Sequence, residues 1–256
     1  MDRDELRRQL EFYRDLGIRE LRVEPRPRKL DQVMAKAAAA ENPRSAVSVN
    51  PRSIQAAPPL LPLGPENDSL ERILDDIGDC KRCRLCESRN RIVFGSGNPQ
   101  ARLVFVGEGP GADEDEQGLP FVGRAGQLLT QMIDGTAARE GMAIRRGDVY
   151  ICNVVKCRPP QNRTPLPDEM EICGQFLFRQ LMALRPKAIV CLGATAAKAL
   201  LGTKEGITRI RGRWHAWRDI QVMPTYHPSY LLRAYNQNAK REAWEDLKKA
   251  LHYVYD

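Results

Sequence analysis

No apolar run in this 256-residue chain reaches the roughly 20 residues that a membrane-spanning helix needs, which excludes such a helix. The opening stretch MDRDELRRQLEFYRDLGIREL is charged throughout and lacks the apolar centre of a secretory leader, so a cytoplasmic protein is expected. No internal repeat is present, which sets repeat architectures aside. The low mean hydropathy of −0.48, beside a hydrophobic content of 42%, fits a soluble protein that carries a polar, poorly folded part.

What is present begins with charge. Lys and Arg total 40 against 33 acids, a net charge of +7 and a pI near 9.1. Such a surface suits a polyanionic partner without demanding one. Seven cysteines in a reducing compartment are not a disulfide framework, which leaves metal ligation or plain burial.

Residues 2–17 read as a helix, with Leu6, Leu10, Tyr13 and Leu16 near helical spacing. Residues 36–66, rich in Ala, Pro, Ser and Asn and without a period, read as a flexible linker. The expected organisation is therefore an N-terminal helical appendage (1–35), a linker (36–66) and one globular domain (67–256). In NDSLERILDDIGDC, Asp68 is the expected helix cap with Glu71 three residues on. Strand-like segments then alternate with helical ones: ARLVFVGE, GRAGQLLTQMIDGTAARE, DVYICNVVK, PLPDEMEICGQFLFRQLMALRP, KAIVCLG and ATAAKALLG. Extended segments within ITRIRGRWHAWRDIQVMPTYHP end in a last strand, and NAKREAWEDLKKALHYVY closes the chain as a helix. Strands joined by helical crossovers predict an α/β/α sandwich around a central four-stranded parallel sheet.

Ligands of such sheets sit at the carboxyl ends of the strands. Those ends carry Gly107 to Gly111, Asn153 to Lys156, Gly193 to Thr195, and Tyr226-His227-Pro228. The GxGxG spacing after the first strand, followed by acids where a pyrophosphate would need amides, is no dinucleotide fingerprint. Of Asp113, Glu114, Asp115 and Glu116, at least two are expected to be solvated. Phe121 is either a flat platform for a base or a core residue. Asn153 is unusual at the end of an apolar strand, and either satisfies backbone or reads a ligand with its two-sided amide. His227 precedes a proline just past a strand, and YLLR sets apolar side chains beside a cation, the composition of a wedge that enters a base stack.

Cys152 and Cys191 lie within apolar strands and read as small core residues. Cys80, Cys83, Cys86, Cys157 and Cys173 remain. A CxxC pair can curl two thiolates around one metal or cluster, and Cys157 with Cys173 would complete four. Spacing does not choose between zinc and iron–sulfur, and it leaves Cys83 with Cys86 open as the working pair.

With these residues assembled, the chain from about 68 to 250 closely resembles the family 4 uracil-DNA glycosylases, the iron–sulfur branch of the uracil-DNA glycosylase superfamily. The matching motifs are GEGPGADEDEQGLPFVGRAGQLL, NVVKCRPPQNRTP and MPTYHPSYLLR, with CKRC upstream and Cys173 downstream. The resemblance implies a [4Fe–4S] cluster held by Cys80, Cys83, Cys157 and Cys173, with Cys86 spare and the cluster structural. It implies hydrolysis of the N-glycosidic bond of deoxyuridine in DNA, reached by base flipping or in single strands, by a protein that acts as a monomer. Phe121 would stack on uracil, Asn153 would pair with N3–H and O4, and His227 would donate to O2. Glu108 and Gly109 would lie at the base. Related families place a catalytic Asp where this chain has Gly109, so Glu108 and Glu114 become the candidate carboxylates, Glu114 also as a block to the thymine methyl, with Asn162 as a water-holding candidate. Ser229, Leu231, Leu232 and Arg233 would contact DNA, the last three filling the gap left by the extruded base. A cousin subgroup that stays covalently attached to its DNA uses a His in an Arg-rich insert; QNRTP follows RPP here without one, so turnover is expected. A non-catalytic DNA-binding relative and a zinc-stabilised nucleotide-binding protein stand as alternatives, while no metal-carboxylate pair of a polymerase is evident.

Overall fold

The computed structural model describes residue 65, residues 68–233 and residues 236–256. The expected helix over 2–17 and the linker over 36–66, apart from residue 65, lie outside the described residues.

Six strands form one sheet: β1 (Ser96–Gly97), β2 (Leu103–Gly107), β3 (Tyr150–Asn153), β4 (Ala188–Leu192), β5 (His215–Trp217) and β6 (Ile220–Thr225), in the spatial order β1-β3-β2-β4-β6-β5. The inner four run parallel, as expected. The expectation of a four-stranded sheet is corrected at both edges, where β1 and β5 pair antiparallel to β3 and β6. These edge strands are two and three residues long, too short to leave a periodic signal in the sequence. Every residue of β2, β3 and β4 is buried, which is why they read as unbroken apolar runs.

Among the described residues the helices are α1 (Leu70–Ile77), α2 (Ala112–Gln117), α3 (Arg124–Arg139), α4 (Pro167–Leu184), α5 (Ala194–Leu201), α6 (Ile207–Ile210), α7 (Pro228–Leu231) and α8 (Gln237–Tyr255). Side chains alternate across a strand, so Leu103 and Phe105 face one side while Val104 and Val106 face the other. The first pair packs with Leu129 and Ile133 of α3 and Leu247 and Leu251 of α8. The second packs with Ile73 of α1, Phe176 and Leu177 of α4 and Ala196 of α5. The three-layer α/β/α arrangement is thus present.

The expected cap at Asp68 is corrected. Ser69, directly before the first helical residue, caps α1 by accepting the Arg72 N–H on its hydroxyl at 3.3 Å. The Asp68 carboxylate instead receives the Arg179 guanidinium of α4 at 2.6 and 3.1 Å. Asp68 sits one residue too early to reach the orphan amides, and a bidentate guanidinium is the stronger partner.

Candidate functional site: a strand-end cavity

In the order β3-β2-β4-β6 the chain leaves β2 toward β3 and leaves β4 toward the β6 side, so the two connections diverge and a crevice opens between the carboxyl ends of β2 and β4. A cavity of about 690 Å³ fills that crevice. It is lined from all four parallel strands: by Glu108 to Gly111 after β2, Asn153 of β3, Leu192 to Thr195 after β4, and His227 after β6. Phe121, Glu114 and Asn162 also line it. Residues separated by more than a hundred positions therefore share one pocket, as the strand-end reading expected.

Phe121 is a core residue that also faces the cavity. It is buried among Phe105, Leu128 and Met223, yet it also lines the cavity. Its φ of 53° is a left-handed conformation that costs a bulky residue of order 1 kcal/mol. Both flanks are clamped. Arg146 Nη2 donates to the Pro120 carbonyl at 2.7 Å, and Glu114 Oε1 accepts the Val122 and Gly123 N–H groups at 2.9 Å each. Neighbouring glycines supply the room. A Cβ on Gly107 would come within 2.6 Å of Phe121 Cζ, and one on Gly126 would overlap the Phe121 main chain. Arg146 lies outside every motif, and its reach back to the Phe121 loop leaves no local trace in the sequence.

Asn153 is 1% exposed. Its Oδ1 is buried without a hydrogen-bond partner, while its main-chain carbonyl accepts Lys156 Nζ at 2.8 Å. Its side chain therefore does not serve the backbone through that oxygen. A buried amide oxygen without a partner costs about 1–3 kcal/mol, and the Asn153 side chain carries that cost at the wall of the cavity. Lys156, itself buried, also donates to Gln180 Oε1 at 2.6 Å and is held neutral-ward by burial, which lowers its pKa.

The His227 ring centroid is 5.6 Å from that of Phe121, with the planes tilted by 34°. Its Nδ1 accepts the Ser229 N–H at 3.2 Å and faces the Ser229 hydroxyl at 2.8 Å. An Nδ1 that accepts leaves the proton of a neutral imidazole on Nε2, which makes Nε2 a donor. Burial holds the His227 pKa down at about 4, against a smaller upward pull from Glu114.

The two candidate carboxylates differ in what they are free to do. Glu114 accepts Gly111 N–H on Oε2 at 3.0 Å and two amides on Oε1, so its oxygens hold the loop around Phe121. Glu108 accepts the Thr195 hydroxyl on Oε2, and among the described residues its Oε1 has no hydrogen-bond partner. Asn162, at φ 56°, accepts the Arg158 Nε–H on its Oδ1 at 2.7 Å. Gly109 faces Val155 and Pro159, where a Cβ would collide with the Val155 side chain at 2.7 Å. In the acidic run Asp113 and Glu116 are exposed, as expected of at least two, whereas Asp115 is buried and accepts both the main-chain and side-chain N–H of Asn90 at 2.9 Å.

The expectation for Leu231 is corrected. Only 1% exposed, it packs in the core against α3 and α8 instead of facing outward. The helical turn of α7 directs Leu231 inward, and Leu232, 42% exposed, is the apolar side chain that the loop presents. Tyr230 is exposed beside it, with the Arg233 guanidinium 6.0 Å from its ring, and Ser229 is exposed next to His227. Tyr230 was not among the expected site residues.

Among the cysteines, Cys152 and Cys191 are wholly buried in β3 and β4, as read. Burial pushes the Cys157 thiol up to about 12, with Cys173 and Cys83 among the neighbours that add to it. Burial pushes Cys173 up to about 11, and there the contributing thiols are Cys83 and Cys80. Cys80, Cys83, Cys157 and Cys173 are thus electrostatic neighbours, whereas Cys86 contributes to Cys83. Two donors point at sulfur: the Lys156 N–H at Cys173 Sγ, 3.2 Å, and Arg89 at Cys157 Sγ, 3.6 Å. Arg89 also donates to the Cys80 carbonyl at 2.6 Å. Among the described residues no three Cys, His, Asp or Glu side chains converge closely enough to hold a single metal ion. Two buried thiols that each accept an N–H donor, grouped with Cys80 and Cys83, are donor chemistry that a thiolate-held metal or cluster can use.

Comparison with known proteins agrees with this geometry. Residues 94–248 match the Uracil DNA glycosylase superfamily. The type-4 uracil-DNA glycosylase of Thermotoga maritima is 48% identical over 187 residues, which cover 72% of this chain and 94% of that protein. Those of Sulfurisphaera tokodaii and Archaeoglobus fulgidus are 44% and 43% identical over 190 residues, covering 71% of this chain and 83% and 92% of theirs. With both halves of the cavity and most of the cysteines inside the matched span, the chain belongs to the uracil-DNA glycosylase superfamily, on its type-4 branch.

Proposed function

We propose that this protein removes uracil from DNA by hydrolysing its N-glycosidic bond, and so initiates base-excision repair. The observation that carries this reading is the meeting of three groups in one cavity: the Phe121 ring, the unpartnered Asn153 Oδ1 and the imidazole of His227. A uracil swung out of its strand would lie over Phe121, give N3–H to Asn153 Oδ1 and take the Asn153 amide on O4. Cytosine has an unprotonated N3 and an amino group at position 4, so it would leave both ends of the buried amide unpaired. Thymine differs by its methyl, toward which the Glu114 loop is the candidate barrier.

Water adds at C1′ as the C1′–N1 bond breaks, and the bonding pair leaves with the base. The charge reaches uracil O2, where the Nε2–H of His227 donates to it. One such donor typically contributes about 10²–10³ in rate. The free oxygen of Glu108 orients the water and takes its proton, while Asn162 holds the water from the rim. Glu114, with all its amides engaged, keeps Phe121 in place.

Cys80, Cys83, Cys157 and Cys173 would hold a [4Fe–4S] cluster. When bound it supplies no step of the hydrolysis and fastens the segment around residues 80–89 to the end of β3. Its compensating charge suits thiols that burial otherwise keeps protonated. Leu232 and Arg233, with Ser229, would contact the DNA strand beside the emptied position. The protein would act as a monomer in the cytoplasm on single- or double-stranded DNA; among the described residues no helix is long and apolar enough to cross a membrane.

Release of uracil from an oligonucleotide containing one deoxyuridine, compared for the wild type, Asn153→Ala and His227→Ala, tests the proposal. Release by the wild type and its collapse in both variants is expected. A wild type that releases none sinks it.

A further inference from the structure

Two cations at the mouth of the cavity have no partner among the described residues. Arg124 opens α3 and Lys198 lies in α5, and both line the cavity and are exposed. The two helices pack on opposite faces of the sheet, so the cations approach the opening from opposite sides. Among the described residues neither has an ion-pair or hydrogen-bond partner. The other arginines nearby are committed: Arg163 to Glu169 at 2.6 and 2.8 Å, Arg158 to Asn162, and Arg146 to Pro120.

The interior of the same cavity carries two carboxylates, Glu108 and Glu114, and exposed Asp113 stands at its edge. A polyanion brought to an acidic pocket is repelled unless cations meet it at the opening. We propose that Arg124 and Lys198 grip the phosphates on either side of the nucleotide whose base enters the cavity. The inference rests on the uracil-excision reading and adds to it a sequence-independent clamp. Such a clamp positions the strand without reading a base. Its phosphates displace condensed counterions, so its contribution is written in the salt dependence of binding.

The test uses the full chain and an oligonucleotide carrying a non-hydrolysable 2′-fluoro-deoxyuridine. Its affinity is measured across a salt series for the wild type, Arg124→Gln, Lys198→Gln and the double variant. Each single substitution is expected to lower the log–log salt slope by about 0.7 on single strands or 0.9 on duplex. The affinity at low salt should fall about three- to tenfold for each. Inhibition by free uracil, which has no phosphate, is expected to stay as in the wild type. Unchanged slopes would overturn the clamp, and so would an equal loss of uracil inhibition, which would mark a disturbed base pocket. A wild type that binds with a steep slope yet releases no uracil would overturn the excision reading instead, and the slopes would still decide the clamp.

Discussion

The phenyl ring of Phe121 and the imidazole of His227 stand 5.6 Å apart between centroids, tilted by 34°. They are neither stacked nor coplanar, so a flat base, on the proposed reading, would lie over the phenyl face with its edge toward the imidazole. One residue enters from the loop after β2, beside Gly107, and the other from the turn after β6, beside Gly193. The following predictions come from that slot and its supports.

Asn153→Ala is expected to lower uracil excision by about 10²-fold or more, because the base loses both partners of its Watson–Crick edge. Stability should not fall in parallel, since the deleted Oδ1 has no partner in the protein. Single-turnover excision and thermal melting, measured together, check this. A large drop in melting temperature would show that the side chain is structural.

The pH dependence follows from His227. Its folded pKa of about 4 lies below the ordinary 6.5, so the unfolded chain binds more protons between those values. The stability this residue contributes is fully present above about 6.5 and is lost as pH falls toward 4. Excision should show no titration near 6.5, only an acid limb near 4, where protonation of Nδ1 breaks its bond from Ser229. Glu114→Gln removes the charge that pulls this pKa up, so the imidazole should titrate lower still. With three histidines in the chain, proton NMR across pH resolves it.

Cys157→Ala and Cys173→Ala are expected to lose bound iron and the brown colour of a cluster, and to melt at lower temperature. Cys86→Ala should keep the iron, because the thiol neighbours of Cys157 and Cys173 are Cys80 and Cys83. Metal content and visible absorbance check both. Iron lost from Cys86→Ala would reassign the ligand set.

Lys156→Met leaves the Asn153 carbonyl and Gln180 Oε1 without their donor. Each unpaired buried acceptor costs about 1–3 kcal/mol, so urea denaturation should shift by several times the typical surface substitution. The loosened end of β3 should also raise KM for uracil-DNA. A variant of wild-type stability would show that the two bonds are replaced by water.

Much of this site was legible before any coordinates. Residues 103–107, 150–153 and 188–192 are apolar runs because helices cover both faces of the sheet; their ends carried the glycines and Asn153, and His227 stood just past the end of β6. The antiparallel edges β1 and β5 were not legible, being shorter than any periodic signal. Asp68 looked like a cap, but the partner that claims it, Arg179, lies 111 positions away. Leu231 and Leu232 are equivalent in sequence, and only the turn of α7 decides which is buried.

By itself the sequence determined the strand order of chemistry: which residues stand at strand ends, which thiols share a short loop, and which segments must be covered on both faces. These are local properties, set by residue type and by the two- and 3.6-residue periods of backbone geometry. Tertiary structure alone decided that Glu114 is consumed by backbone amides while Glu108 keeps a free oxygen, that Arg146 braces a left-handed Phe121, and that Arg124 and Lys198 face one opening. Each of those depends on which distant groups meet when two helical layers close on one sheet, and no spacing along the chain carries that information.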